Sequence, residues 1–172
     1  MSTEQKFKVC MLGNFGVGKT SLVSRLVRNT FSDKYLTTVG VKVDTKPLQI
    51  DGQAITLVLW DIEGADNLSK LQRTYLRGCH GLFLVADGLR PSTLDVALDL
   101  SLELRAAEPD MPAVLAINKL DLLDQWKVTT DQIRIASEKT RVYRTSALDA
   151  TDVEAAFIDL ASQMQQQKAL TS

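Results

Sequence analysis

The sequence has few of the residues on which disulfide-linked, metal-binding or membrane-spanning proteins depend. Among its 172 residues there are two cysteines and one histidine. Cys10 and Cys79 lie in apolar stretches, which favours buried free thiols over a disulfide. The lone His80 favours a core or surface position over a metal ligand or a base. No apolar run approaches the length of a membrane-spanning helix, and the first residues lack the apolar segment of a signal peptide.

The chain has no excess of charge of either sign, because its 20 lysines and arginines are nearly balanced by 21 aspartates and glutamates. A net charge of −1 gives no broad basic surface, so we expect no nucleic-acid partner. The length fits one domain, and 45% apolar residues are enough to build a full core. We therefore expect a single domain over residues 1–172 and a cytoplasmic location.

A glycine-rich stretch, G-N-F-G-V-G-K-T at 13–20, fits the phosphate-binding pattern G-x-x-x-x-G-K-[ST]. Its glycines permit backbone conformations that side chains forbid, so the loop amides can point inward at an anion. An apolar run before it and helical periodicity at 21–27 supply the strand and helix that the motif requires. Lys19 can reach the β- and γ-phosphates, and the Thr20 hydroxyl can bind Mg²⁺. The predicted nucleotide contacts here are Asn14, Phe15, Gly16, Val17, Gly18, Lys19, Thr20 and Ser21.

Strand and helix patterns alternate along the chain, after a polar segment at 29–38 that predicts a loop. Apolar runs that predict buried strands lie at 6–12, 55–60, 81–86 and 113–117. Alternation over 41–50, interrupted by Pro47, predicts an edge strand, antiparallel to the next through a turn at 51–52. We predict an α/β fold with a six-stranded, mostly parallel sheet, one antiparallel edge strand and helices on both faces.

The last helix has a start signal of its own. The segment T-D-V-E at 151–154 loosely resembles a capping box, in which two side chains satisfy the free amides of a helix start. Apolar residues then recur at helical spacing from Val153 to Met164. We therefore predict an amphipathic closing helix that is capped at Thr151.

The segment N-K-L-D at 118–121, directly after a buried strand, indicates which base is bound. The Asp121 carboxylate can accept hydrogen bonds from N1–H and from the exocyclic amine of guanine, a donor pair that adenine lacks. The Lys119 stem can lie along the base plane, and Asn118 can tie this loop to the phosphate loop. The motif therefore predicts a guanine nucleotide.

A third motif, D-I-E-G at 61–64, follows the strand at 55–60 and has the form D-x-x-G. The Asp61 carboxylate can hold Mg²⁺ through water, and the Gly64 amide can approach a γ-phosphate. Since the carboxyl ends of parallel strands meet at one edge of a sheet, all three motifs are expected to converge there.

Together these motifs resemble those of the Ras superfamily of small GTPases, and the resemblance covers almost the whole chain. The segment T-T-V-G-V at 37–41 is similar to switch I of the Rab branch, and L-W-D at 59–61 to its strand into switch II. The resemblance implies one P-loop small G domain over 1–172 that binds GTP or GDP with Mg²⁺. It also implies a molecular switch that binds a protein effector or regulator.

The resemblance also implies functional roles for several residues outside the three motifs. Thr38 is the switch I threonine that contacts Mg²⁺ and the γ-phosphate, so the implied metal set is Thr20, Thr38 and Asp61. Phe31 matches the aromatic residue that packs on guanine, and Tyr35 the tyrosine that closes over the phosphates. Ser146 and Ala147 match the base-contacting S-A-K loop, in which the Ala147 amide would bond guanine O6.

The chain departs from the family pattern where hydrolysis depends on it. Ala65 stands in place of the glutamine that orients the attacking water, and Phe15 takes a position that is usually small. Leu148 replaces the S-A-K lysine, with its backbone contact retained. The implied catalytic set is Lys19, Thr38, Gly64 and the degenerate Ala65, which predicts slow hydrolysis. Alternatives are a non-hydrolysing pseudo-GTPase that holds GTP as a structural ligand and, against the 118–121 motif, an ATP-dependent P-loop kinase.

The expected partner surface combines switch I, the 41–45 edge strand and the switch II helix. On that helix Leu68, Leu71 and Tyr75 are candidate contacts, with core packing as the alternative for Leu71. No cysteine occurs at 168–172 and position 2 is Ser2, so we expect no direct lipid anchor. Two explanations stay open: a soluble GTPase, as in a prokaryotic branch of the family, or a chain that lacks a tail.

Overall fold

The computed structural model describes residues 3–28, 35–36, 40–62 and 70–172, with backbone alone at 35–36 and 70–72. The strands are β1 (Gln5–Leu12), β2 (Tyr35–Leu36), β3 (Val41–Ile50), β4 (Gln53–Ile62), β5 (Gly81–Asp87), β6 (Ala113–Asn118) and β7 (Arg141–Arg144). The helices are α1 (Lys19–Val27), α2 (Lys70–Tyr75), α3 (Pro91–Ala107), α4 (Thr130–Lys139) and α5 (Val153–Thr171), with a 3₁₀ segment at Leu120–Gln125.

These strands form one sheet in the order β2-β3-β4-β1-β5-β6-β7. From β4 to β7 every pair is parallel, whereas β2, β3 and β4 pair antiparallel. The predicted α/β fold, with a mostly parallel sheet and helices on both faces, is therefore confirmed. The sheet also contains the two-residue strand β2, which lies in a segment predicted as a loop.

The strand predicted to form the sheet edge is second from the edge. Tyr35 and Leu36 of β2 pair with Val43 and Lys42 of β3, so the prediction that 41–45 is a free edge was wrong. The sequence could not reveal this partner, because β2 has only two residues and so shows no alternating pattern. Pro47 lies beyond that pairing, opposite Thr56 of β4, where its missing N–H costs no bond to β2.

The core lies on both faces of the sheet. One cluster packs α1 and α5 against the strands, and a second packs α3 and α4 against the other face. In the first, Phe83 of β5 and Phe157 of α5 stack with ring centroids 4.0 Å apart and planes 11° apart. Because both rings are fully buried, this contact holds α5 against the centre of the sheet.

The closing helix begins at Val153, but not through the predicted capping box. Asp152, the residue before the helix, is in the left-handed conformation with φ 52° and makes no side-chain cap. The Thr151 hydroxyl instead donates to Asp149 Oδ1, at 2.5 Å. A complete capping box is present at α4, where Thr129 and Gln132 exchange hydrogen bonds. None of the helices in the described ranges has the length and apolar character needed to span a membrane.

The stacked pair predicts how much of the stability depends on α5. Phe157→Ala should lower the free energy of unfolding by about 3–5 kcal/mol, because it removes buried area and leaves a cavity. Ile158→Ala, one residue along at 37% exposure, is the control and should cost about 1 kcal/mol or less. Urea denaturation measures both. Equal losses would show that Phe157 is not a core contact.

Candidate functional site

A cleft of about 660 Å³ opens at the carboxyl ends of β1, β4 and β6, where the three motifs meet. It has the size of a nucleotide-binding pocket. Its lining includes glycine amides, one buried lysine and two carboxylates. The lining residues are Phe15, Gly16, Gly18, Lys19, Thr20, Ser21, Gly40, Val41, Lys42, Asp61, Asn118, Lys119, Asp121, Leu122, Ala147 and Leu148.

Two glycines of the phosphate loop are required by close approach. A Cβ at Gly13 would lie 2.4 Å from the Val85 carbonyl oxygen, and one at Gly18 would lie 2.2 Å from Asn118 Nδ2. Both distances are far below van der Waals contact, and both residues also have positive φ. The loop therefore fits against β5 and the end of β6 only with glycine at these positions.

Lys19 is folded into the loop that it follows. Its ammonium donates to the carbonyls of Gly13, at 2.9 Å, and Asn14, at 3.2 Å. The residue is 8% exposed and lines the cleft. A buried cation held by neutral carbonyls is well suited to bind an anion, since phosphate oxygens are stronger acceptors for it.

Asn118 joins the phosphate loop to the strands that carry the predicted base site. Its Nδ2 donates to the Val17 carbonyl at 3.1 Å, and its Oδ1 accepts from Thr145 Oγ1 at 3.1 Å. Both ends of the amide are satisfied, and the residue is 3% exposed. The carboxyl ends of β6 and β7 are thereby held against the phosphate loop.

Asp121 lines the same cleft as the phosphate loop, and Ser146 fixes its orientation. The Ser146 hydroxyl donates to Asp121 Oδ1 at 2.8 Å and accepts from the Asp149 amide at 3.2 Å. One such bond uses a single lone pair, so the carboxylate keeps acceptor sites on both oxygens. Asp121 and Ala147 both line the cleft.

Arg25 of α1 supports the loop at 146–148, a contact that the sequence analysis missed. Its Nε donates to the Ala147 carbonyl at 2.8 Å, and its second donor reaches the Leu148 carbonyl. The arginine thereby fixes the Ala147 backbone next to the cleft. A basic residue in the last turn of a helix gives no signal of a contact 122 residues away.

Asp87, at the end of β5, is a second residue that was missed. The carboxylate is buried and accepts from Lys119 Nζ at 2.8 Å, Arg90 Nε at 3.0 Å and the Leu89 amide at 2.8 Å. Burial acts to raise its pKa, but these hydrogen bonds outweigh burial and hold the pKa below its usual value. A signal was available, because Asp87 ends an apolar strand as Asp61 and Asn118 do.

Trp126 packs against the segment at 118–121 that follows β6, here called the base loop. Its indole Nε1 donates to the Lys119 carbonyl at 2.7 Å, and the ring packs on Gly88. A Cβ at Gly88 would lie 2.1 Å from the ring, so only glycine fits beneath it. This support keeps Lys119 in its left-handed conformation, with φ 76°.

Two predicted magnesium ligands lie together. Thr20 Oγ1 donates to Asp61 Oδ2 at 2.5 Å, and both residues line the cleft. A hydroxyl and a carboxylate are hard oxygen donors of the kind that Mg²⁺ prefers, and the ion usually takes its other ligands from phosphates and water. Within the described ranges there is no cluster of three histidine, cysteine or acidic side chains. The pair therefore fits an ion shared with a phosphate chain.

Several predicted residues lie outside the described part of the chain. These are Phe31, Thr38, Gly64, Ala65, Leu68 and the side chains of Tyr35 and Leu71. Two of the departures from the family pattern are described: Phe15 is 81% exposed and Leu148 is 72% exposed, both at the cleft. Tyr75, on the last turn of α2, packs near Trp60 with ring centroids 6.1 Å apart.

A phosphate loop after β1 and an N-K-L-D segment after β6, two strands along the same parallel sheet, line one cleft and define a P-loop nucleotide-binding protein. The Ras family model matches residues 8–166, so this chain belongs to the Ras family. Members of that family are small GTPases that bind GTP and GDP, typically with Mg²⁺, and hydrolyse GTP.

The chain is similar to several Ras-related proteins of plants. The chain is 38% identical to Ras-related protein Rab11E of Lotus japonicus and 37% identical to Ras-related protein RIC2 of Oryza sativa subsp. japonica. It is 34% identical to Ras-related protein RABA1a of Arabidopsis thaliana. Each match covers 92% of this chain and 74% of the relative. The predicted likeness to the Rab branch is therefore confirmed.

The environment of Asp87 predicts a pH-dependent contribution to stability. Since its folded pKa is below the unfolded value of about 3.9, the ionised carboxylate stabilises the fold above that pH and loses its effect as pH falls through the folded pKa. Asp87→Asn should cost about 1.5–3 kcal/mol at pH 7 and less below pH 4. Thermal unfolding from pH 7 to pH 3 measures this difference.

Asp131→Asn is the matched control, because Asp131 pairs with Arg134 on the exposed surface of α4. Its cost should not exceed about 1 kcal/mol. If Asp87→Asn were no more costly than this control, the buried carboxylate would not be holding Lys119 and Arg90.

Proposed function

We propose that this chain is a Mg²⁺-dependent guanine-nucleotide switch that hydrolyses GTP slowly and signals to a protein partner. The observation that carries the proposal is that the Asp121 carboxylate, fixed by Ser146, lines the same cleft as the buried Lys19. A base acceptor and a phosphate-binding cation thus face one cavity. The proposed functional unit is one G domain over 1–172, in the cytoplasm.

In this proposal the phosphates lie in the loop at 14–21. The backbone amides of the loop and the N-terminus of α1 bind their oxygens, and Lys19 Nζ exchanges its carbonyl partners for the β- and γ-phosphates. Thr20, Thr38 and Asp61 hold Mg²⁺, which offsets the phosphate charge. Support comes from the Thr20–Asp61 contact and from the burial of Lys19.

Guanine would be selected by the loops that follow β6 and β7. Asp121 accepts from N1–H and the exocyclic amine, while the Ala147 amide donates to O6. Arg25 supports the second contact by fixing the Ala147 carbonyl, and so the peptide chain around it. The Lys119 stem covers the base while its ammonium stays paired with Asp87. Phe31 and Leu148 complete the base contacts in this proposal.

Switching follows from the γ-phosphate. In the GTP state, Thr38 and the Gly64 amide bind the γ-phosphate, and Tyr35 closes over the phosphates. Loss of the γ-phosphate releases the segments that contain Thr38 and Gly64. The partner surface that we propose comprises β2 and β3, since β2 covers 42–43, together with α2 and Tyr75.

Slow hydrolysis is proposed from two side chains. Ala65 has no side-chain amide with which to orient the attacking water, so Lys19, Thr38 and Gly64 are left to stabilise the transferred phosphoryl group. Phe15, exposed at the cleft, occupies space that an arginine from a partner protein would need. The same two residues favour the alternative, a pseudo-GTPase that holds GTP as a structural ligand.

Base selection can be tested by a specificity change. Asp121→Asn should weaken GTP binding by about tenfold or more, because the amide replaces an acceptor by a donor, and should favour xanthosine triphosphate, whose 2-oxo group accepts. Competition binding of the two nucleotides measures the change. Asp124→Asn, in the same 3₁₀ segment, is the control and should leave both affinities unchanged. Unchanged GTP affinity in Asp121→Asn would remove this residue from the base site.

Hydrolysis can be tested by single-turnover kinetics on three proteins. The wild type should hydrolyse GTP at about 10⁻⁴ s⁻¹ or less. Ala65→Gln alone should help little, because Phe15 still crowds the approach, whereas Ala65→Gln with Phe15→Gly should be clearly faster. A fast wild type would overturn the slow-switch proposal. A wild type that binds GTP without any turnover would favour the pseudo-GTPase.

A further inference from the structure

Arg90 touches the phosphate loop from a position that neither the motifs nor the family likeness assign a role. It precedes α3, and its guanidinium donates through Nη2 to the Phe15 carbonyl at 2.9 Å. A Cβ on Gly16 would lie 3.4 Å from the same nitrogen. The arginine therefore packs against the part of the loop around the Phe15–Gly16 peptide, although it is absent from the cleft lining given above for the described residues.

Several contacts fix the arginine itself. Its Nε pairs with the buried Asp87 carboxylate at 3.0 Å. Its backbone N–H donates to the Asp87 carbonyl at 2.9 Å, and its carbonyl accepts from the Thr93 hydroxyl at 2.7 Å. Pro91 follows and restricts Arg90 to the extended conformation that it adopts, with φ −130°. A side chain held in this way presents its Nη2 donor in a defined direction.

The consequence lies in the geometry of one peptide unit. The Phe15 carbonyl and the Gly16 N–H belong to the same planar trans peptide, so they point in opposite directions. Arg90 draws the carbonyl toward α3 and therefore turns the Gly16 N–H away from itself. Gly16 lines the cleft, which is where that N–H can meet an anion. The loop could otherwise rotate this peptide, because Gly16 has a φ of 77° that glycine adopts without strain.

We infer that Arg90 is a positioning residue that aims the Gly16 amide at the phosphate chain of the nucleotide. This inference rests on the proposed nucleotide binding. Asp87 extends it, because the same carboxylate oxygen accepts from Arg90 and from Lys119 of the base loop. One buried carboxylate thus binds both Arg90, which contacts the phosphate loop, and Lys119, which belongs to the base loop.

The test compares GDP with guanosine, which has the base and no phosphate, in EDTA so that the metal site makes no contribution. Arg90→Ala should raise the Kd for GDP about tenfold, the effect of one misaligned charge-assisted hydrogen bond, and change that for guanosine less than about twofold. Arg90→Lys should give an intermediate loss for GDP, since one ammonium does not reproduce the guanidinium fork. Arg134→Ala, which removes exposed ion pairs on α4, is the control and should change neither Kd.

The outcomes separate this inference from the proposed function. Unchanged GDP affinity in Arg90→Ala, or equal losses for GDP and guanosine, would overturn the inference while leaving guanine-nucleotide binding intact. Should Arg90→Ala fail to fold, Arg90→Lys decides: a selective loss of GDP affinity supports the inference and no loss overturns it. A wild type that binds no GDP would overturn the proposed function and the inference with it.

Discussion

The hydrogen bond from Asn118 Nδ2 to the Val17 carbonyl is the contact on which the site depends, because it joins loops that follow different strands. It forms only because Gly18 has no side chain, since a Cβ there would overlap the same nitrogen. Thr145 satisfies the other end of the amide and adds the end of β7. This bond joins the phosphate loop and the base loop directly, whereas Asp87 links them only through Arg90 and Lys119.

Around this contact the site is assembled from pairs in which one residue faces the cleft and another holds it. Ser146 orients Asp121, Arg25 fixes Ala147, and Asp87 holds Lys119. The residues that face the cleft belong to motifs, whereas Arg25 in α1 and Asp87 in β5, which hold two of them, do not. The buried charges on Lys19 and Asp87 are likewise stabilised by close polar partners.

This division explains how far the sequence could predict the structure. Buried strands and their order in the chain follow from apolar runs, and the motif residues Lys19, Asp61 and Asn118 follow from local spacing. Arg25 could not be predicted, because its partners lie more than a hundred residues away, and strand β2 depends on pairing with β3. The cap predicted at Thr151 failed because the helix begins at Val153, so that Asp152 and not Thr151 is the residue immediately before its first turn.

Because of its position, the fluorescence of Trp126 can report on the base loop. Its indole is bonded to the Lys119 carbonyl and packed on Gly88, so its emission depends on the polarity and order of the base loop. The chain has two tryptophans, and Trp60 lies on β4 with the Lys8 ammonium 3.8 Å from its ring. Replacing Trp60 by phenylalanine would leave Trp126 as the single tryptophan, beside the base loop, and occupancy of the site could then be followed by its fluorescence without a labelled nucleotide.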